Sequence, residues 1–347
     1  MKKLIFLILA LIVISQAGLY SQVSTAIREE KKDSVVPLKY PYVLPILGEK
    51  VAQKGFQLPF PFGVMINTFF GNQDLSMSGL KVGFNHNEMY DLDSIVTFES
   101  VSANAFTINA RVDGWILPFW DLYVIGGYGH ANTDVSISQP IIINTNTESQ
   151  GYYCGVGSTV AFGIRSIFAS FDGSYVWNFQ DLLEKPAQVL TMGVRTGPIF
   201  KFPKHKEMNL VIWTGCLFTN LNSETVGSIS FTEVFPEAEQ SIQDLQTQLD
   251  GWYNGLPPAK QKLYEGVYNG LSNGLTNVSE NLPNSSIQYQ MQKKIDRPFN
   301  LIIGGQYQYS LRWQLRGEAQ ILGDRFGGLL SLNYRFGIKG KNMLSGE

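Results

Sequence analysis

The sequence predicts an all-β chain: a transmembrane antiparallel β-barrel of about twelve strands, with fourteen as the alternative, carrying a helical hairpin insert. Three observations predict it. Long segments alternate strictly between apolar and polar side chains. Charged residues are 16% and aromatic residues 13% of the chain, where an ordinary soluble domain carries roughly 25% charge. Beyond the N-terminal region no run reaches the roughly 18 apolar residues of a spanning helix, so membrane crossing falls to strands closed on themselves, since lipid tolerates no unpaired backbone groups.

The alternation is clearest from Leu311 to Ile321. Leu311, Trp313, Leu315, Ala319 and Ile321 share one face, and Arg312, Gln314, Arg316, Glu318 and Gln320 the other. Leu330, Leu332, Tyr334 and Phe336 likewise oppose Leu329, Ser331, Asn333 and Arg335. The same period recurs where Phe106, Ile108 and Val112 alternate with Thr107, Asn109, Arg111 and Asp113, and where Leu301 and Ile303 alternate with Asn300 and Gly304. A secreted β-sandwich also alternates, but its polar face meets water and is rich in Lys and Glu. Here the polar face is Gly, Ser, Thr, Asn and Gln with scattered Arg and Asp, a mixture suited to a crowded barrel interior. The apolar faces end in Tyr, Trp and Phe, as interfacial aromatic girdles do.

The elements follow in order. Lys2 and Lys3 precede the apolar stretch Leu4 to Ile14 and the small residues Ser15 and Ala17, so 1–21 reads as a secretory signal peptide. Residues 22–60 form an extended leader with a charge cluster near Arg28 and prolines at 37, 41 and 45. The barrel occupies 61–337, with strands expected near 61–73, 75–86, 97–116, 120–138, 148–165, 166–179, 187–201, 207–220, 224–234, 298–310, 311–323 and 326–337. Residues 285–294 could add another strand, and 93–117 could split in two. One conflict stands out: Pro118-Phe119-Trp120 and Ser310-Leu311 both read as short turns of one barrel end, yet twelve strands put them at opposite ends. A tail, 338–347, closes the chain.

Residues 236–283 break the pattern. Ala238, Ile242, Leu245, Leu249 and Trp252 recur at helical spacing, as do Leu263, Val267, Leu271, Leu275 and Val278. Pro257-Pro258 separates the two stripes. Gly251-Trp252-Tyr253-Asn254-Gly255-Leu256 repeats as Gly266-Val267-Tyr268-Asn269-Gly270-Leu271. Glycine costs about 1 kcal/mol against Ala inside a helix, so this glycine face implies a close neighbour: the barrel mouth, if the hairpin is a plug or lid, or simply the partner helix.

Composition excludes several functions. Lys and Arg total 27 against 29 Asp and Glu, a net charge of −2, which gives nucleic acid no basic footprint. Two Cys make no disulfide scaffold; Cys154 and Cys216 fall on apolar faces and are expected to stay unpaired. No Gly-rich phosphate loop and no metal-ligand spacing occurs, so neither cofactor nor metal is expected. The three His (His86, His130 and His205) lie apart with no recognisable nucleophile motif, and no catalytic residue is expected. The charged side chains on the inward face are Arg111, Asp113, Arg165, Asp172, Arg195, Arg312, Arg316, Glu318 and Arg335. An arginine excess among them would favour anionic or polar solutes; the alternative is that they pair with one another and fill the interior.

On its signal segment, amphipathic strands and closing strand Leu329 to Phe336, the chain resembles bacterial outer-membrane β-barrel proteins. The resemblance implies an outer-membrane location, lipid contact, and a final strand read by the barrel-assembly machinery. It also implies porin-like or transporter-like passage or binding of a small polar or amphiphilic solute. A non-transporting structural or adhesive protein, and a lipid-modifying barrel enzyme centred on His130, are the alternatives.

Overall fold

The computed structural model describes residues 27–28, 40–53, 56–164, 166–181, 185–235 and 237–340. The expected signal peptide, 1–21, and Arg165 lie outside them. In chain order the elements are α1 (Gly48–Gln53), β1 (Phe62–Asp74), β2 (Ser76–Phe84), β3 (Tyr90–Asp91), β4 (Thr97–Leu117), β5 (Trp120–Gln139), β6 (Ile143–Ile164), β7 (Ile167–Gln180), β8 (Ala187–Phe202) and β9 (His205–Ser230). Then come α2 (Phe231–Val234), α3 (Ala238–Gly255), α4 (Pro258–Glu280), β10 (Ser286–Lys294), β11 (Phe299–Gln308), β12 (Trp313–Ile321) and β13 (Arg325–Phe336).

Ten strands close the ring, in the order β1-β4-β5-β6-β7-β8-β9-β11-β12-β13, every neighbour antiparallel. The first strand closes on the last, with Phe62 opposite Phe336 and Gln73 opposite Arg325. The expectation of about twelve strands is thus corrected, and so is fourteen. Residues 207–220 and 224–234 do not form two strands: 205–230 is one strand of 26 residues. The 75–86 and 285–294 segments are strands, but they leave the ring.

Both build an annex on the far half of β9, which pairs with β10 from Ser223 to Ser230; β10 then pairs with β2, and β2 with β3. The physical reason is that period two reports only that a face is buried. Leu80 and Phe84 face an internal apolar core, not lipid. Ten strands also resolve the turn conflict. The connections after β4, β6, β8 and β11 are all short and share one end; both insertions lie at the other.

Sidedness is inverted relative to a soluble sheet. Leu332 is 49% exposed while its neighbour Asn333 is 3%, and Leu315 is 55% exposed while Gln314 is 5%. Apolar side chains face outward and polar ones are enclosed. Trp313, Tyr334, Phe336 and Phe62 cluster at the short-turn end, and Phe70, Phe106, Phe299 and Phe326 lie toward the other. From Phe326 to Phe336 a strand advances about 33 Å, or roughly 25 Å along the axis at the usual tilt, the height of a barrel's apolar band. Strands β4, β5, β6 and β9, at 20 to 26 residues, overshoot this band toward the insertion end.

Helices α3 and α4 form a hairpin with Pro258 opening α4, where its missing N–H costs nothing. The internal repeat has a structural counterpart: Tyr253 and Tyr268, at equivalent positions, stack with centroids 4.1 Å apart. The Tyr268 hydroxyl donates to Asp250 at 2.8 Å. Ile242, Leu245, Leu249, Leu271, Leu275 and Val278 pack with Leu80, Phe84, Leu92 and Phe231 into one core. The hairpin therefore caps the insertion end and is anchored on the annex. Gln248 of α3 also accepts a bond from the Ile142 backbone N–H at 2.7 Å, on the β5–β6 turn three strands around the ring from β9.

The leader and tail meet below the opposite mouth. Val43 N–H donates to Ile338 O at 3.0 Å, and Tyr42 bridges to Lys339. Ile338, Lys339 and Gly340 thus pair with the Pro41–Val43 segment of the leader.

Candidate functional site

The barrel interior is layered along the strand direction. Nearest the short turns lies a set of ion pairs. Arg111 on β4 binds Asp121 on β5 at 2.6 Å and lies 3.8 Å from Asp113, with its guanidinium 3.6 Å from the Tyr123 ring centroid. Arg335 on β13 reaches across β1 to Asp113 at 3.0 Å. It also donates to the Phe60 and Pro61 carbonyls at 2.9 and 3.2 Å, which ties the leader to the mouth.

A second cluster centres on Glu318. Arg195 contacts it through two nitrogens, at 2.6 and 2.9 Å, and also pairs with Asp172. Arg316 binds Glu318 at 3.1 Å, and Trp213 Nε1 donates to it at 2.9 Å. Between the two clusters lies a polar cavity of about 120 Å3. Asp113 Oδ1, Asp121 Oδ1 and Arg316 Nε are buried there without a hydrogen-bond partner.

Above the ion pairs, Asn67 donates to Asn109 at 2.7 Å and Asn109 donates to Tyr153 at 2.9 Å. Above this belt the interior turns apolar. A chamber of about 260 Å3 is enclosed by the upper inward faces of β5 and β6, the β10 row Ile287, Tyr289, Met291 and Lys293, and cap residues including Leu249 and Leu275.

Of the nine expected lumenal residues, the ion-pair clusters hold Arg111, Asp113, Asp172, Arg195, Arg316, Glu318 and Arg335. Arg312 is a correction: it is exposed, in the turn before β12, over the Phe60 ring at 4.7 Å and donating to the Tyr334 hydroxyl at 2.9 Å. Its register position is one residue short of the strand, so parity does not govern it. Arg165 lies outside the described residues. Asp121 was missed. It shares parity with inward Tyr123, between outward Trp120 and Leu122, and that was the signal for it. With Asp121 counted, four arginines meet four carboxylates in these ion pairs, while Arg325, on the inward parity of β13, bonds Gln73 and lies over the Phe69 ring. His130 pairs with Phe106 and Gln150 on the outward parity of β5.

A closed ring with an apolar outside and a polar, ion-paired inside is the architecture of a transmembrane β-barrel, and the chain is of that class. Solved structures that resemble it are bacterial outer-membrane β-barrels. The β domain of the Bordetella autotransporter BrkA is 8% identical, with 80% of this chain and 100% of that one covered and a TM-score of 0.37. The translocator domain of the autotransporter NalP from Neisseria meningitidis is 10% identical over 80% of this chain and 88% of its own, TM-score 0.34. An outer membrane channel from Pseudomonas putida F1 is 7% identical over 81% and 96%, TM-score 0.31. No family model and no curated protein matches the chain.

Proposed function

We propose that this is an outer-membrane barrel that binds or passes a small polar or amphiphilic solute, and that its lumen is shut at rest by two barriers in series. One is the ion-paired tier between β4, β8, β12 and β13; the other is the helical cap. The observation that carries this reading is the tier itself: polar and charged side chains bonded across the lumen leave a cavity of only about 120 Å3, while the far mouth is covered by a cap bonded to the β5–β6 rim. The chain would reach the membrane after removal of 1–21 and be assembled there by the barrel machinery.

The test is planar-bilayer conductance of refolded protein, with heat-modifiable gel mobility as the folding control. Wild type and a deletion of 237–282 are expected to stay closed. The deletion combined with Arg195→Ala and Glu318→Ala is expected to conduct. A steadily open wild type, or a folded triple variant without current, contradicts the reading.

A further inference from the structure

The chamber under the cap is distinct from the ion-paired lumen. Its walls are Val135 and Thr147 from the barrel, Tyr289 and Met291 from β10, and Leu249 and Leu275 from the cap. At about 260 Å3 it far exceeds the gaps of a packed interior. A lined apolar cavity of roughly 150 Å3 already admits benzene.

One feature gives the chamber chemical direction. The inward row of β10 runs Ile287, Tyr289, Met291 and ends in Lys293, the one charged side chain among the described lining residues. No carboxylate among the described residues pairs with Lys293. Burial alone pulls its ammonium below the ordinary lysine pKa. Such a group normally finds a counter-charge, because an unpaired cation in apolar surroundings is costly. An apolar body would fill the chamber, and an anionic head would supply the partner. A few placed polar groups in an otherwise apolar pocket fix a ligand's orientation in this way.

We infer that the capped chamber binds one monoanionic amphiphile, its apolar body of about ten carbons between cap and barrel wall and its carboxylate on Lys293. This requires binding only and stands whether or not the lumen conducts.

The probes are 2-naphthoate and its neutral counterpart 2-naphthalenemethanol, titrated by fluorescence against the full-length mature chain in nanodiscs. Wild type is expected to bind naphthoate at least about tenfold more tightly than the alcohol, the size of effect a charge-assisted hydrogen bond gives. Lys293→Met should erase that preference while retaining the alcohol, and Lys293→Arg should keep it. Thr147→Trp, which fills the chamber from the barrel wall without touching the cap core, should abolish both. The proposal is overturned if wild type saturates with neither probe, binds both equally, or keeps its preference in the folded Lys293→Met variant.

Discussion

Arg195 and Glu318 clasp each other across the lumen through two contacts, 2.6 and 2.9 Å, although β8 and β12 are separated in the ring by β9 and β11. The pair therefore braces the wall across its interior. Bonds between neighbouring strands cannot do this. The same holds for Arg335 and Asp113, which meet over β1 at 3.0 Å.

Glu318→Ala should be strongly destabilising. It leaves Arg316 without its ion-pair partner and Arg195 with Asp172 alone, and removes the acceptor of Trp213 Nε1. Breaking one side of such an enclosed network costs about 3–5 kcal/mol. The measurement is the urea midpoint for loss of the compact, heat-modifiable form in lipid vesicles. An unshifted midpoint would mean that the clasp adds nothing to stability.

The outward band can be tested with one charge. Leu332 pairs with Ile66 and Leu315 in the middle of its strand and faces outward. Leu332→Arg should cost about 2–4 kcal/mol, the midplane figure for lipid-facing arginine, and slow membrane insertion. The same substitution would be mild if that face met water, so folding yield into vesicles decides between the two environments.

The five glycines of the helical hairpin divide into two groups. A Cβ at Gly270 would overlap the Tyr90 ring and one at Gly274 the Phe84 ring, whereas Gly251, Gly255 and Gly266 have nothing within 4 Å. Alanine at the last three should stabilise the hairpin by about 0.5–1 kcal/mol each. Alanine at 270 or 274 should loosen α4 from the annex at about 1–3 kcal/mol. Protease protection of the cap should rise for the first group and fall for the second. A uniform response would show that the cap does not rest on those rings.

Cys154 and Cys216 are free and on outward-facing parities. The folded barrel should yield two titratable thiols. Cys154, the more exposed of the two, should react with a membrane-permeant maleimide in vesicles and resist a charged one. Protection from both reagents would place it inside.

Much of the barrel is legible in the sequence because a lipid-facing strand must alternate without exception. Leu315, Leu332 and Ile303 are outward and Gln314, Asn333 and Glu318 inward by parity alone, since each Cβ points opposite to the one before it. The helical stripe from Ala238 to Val278 is equally plain. Parity does not apply at Arg312, where the strand has not begun; at Asp121, just past the β4–β5 turn, it does apply and sets the carboxylate inward.

What the sequence by itself determined is which residues alternate, which coil into helices, and which face of each is apolar. What only the tertiary structure decided is what each apolar face meets. Leu80 and Phe84 alternate as Leu330 and Leu332 do, but the first pair packs under a cap and the second faces lipid. Both environments exclude water, and local periodicity responds to that exclusion alone. Ring size, the Arg195–Glu318 clasp and the capped chamber all depend on strands far apart in the chain being brought side by side, and only closure of the ring does that.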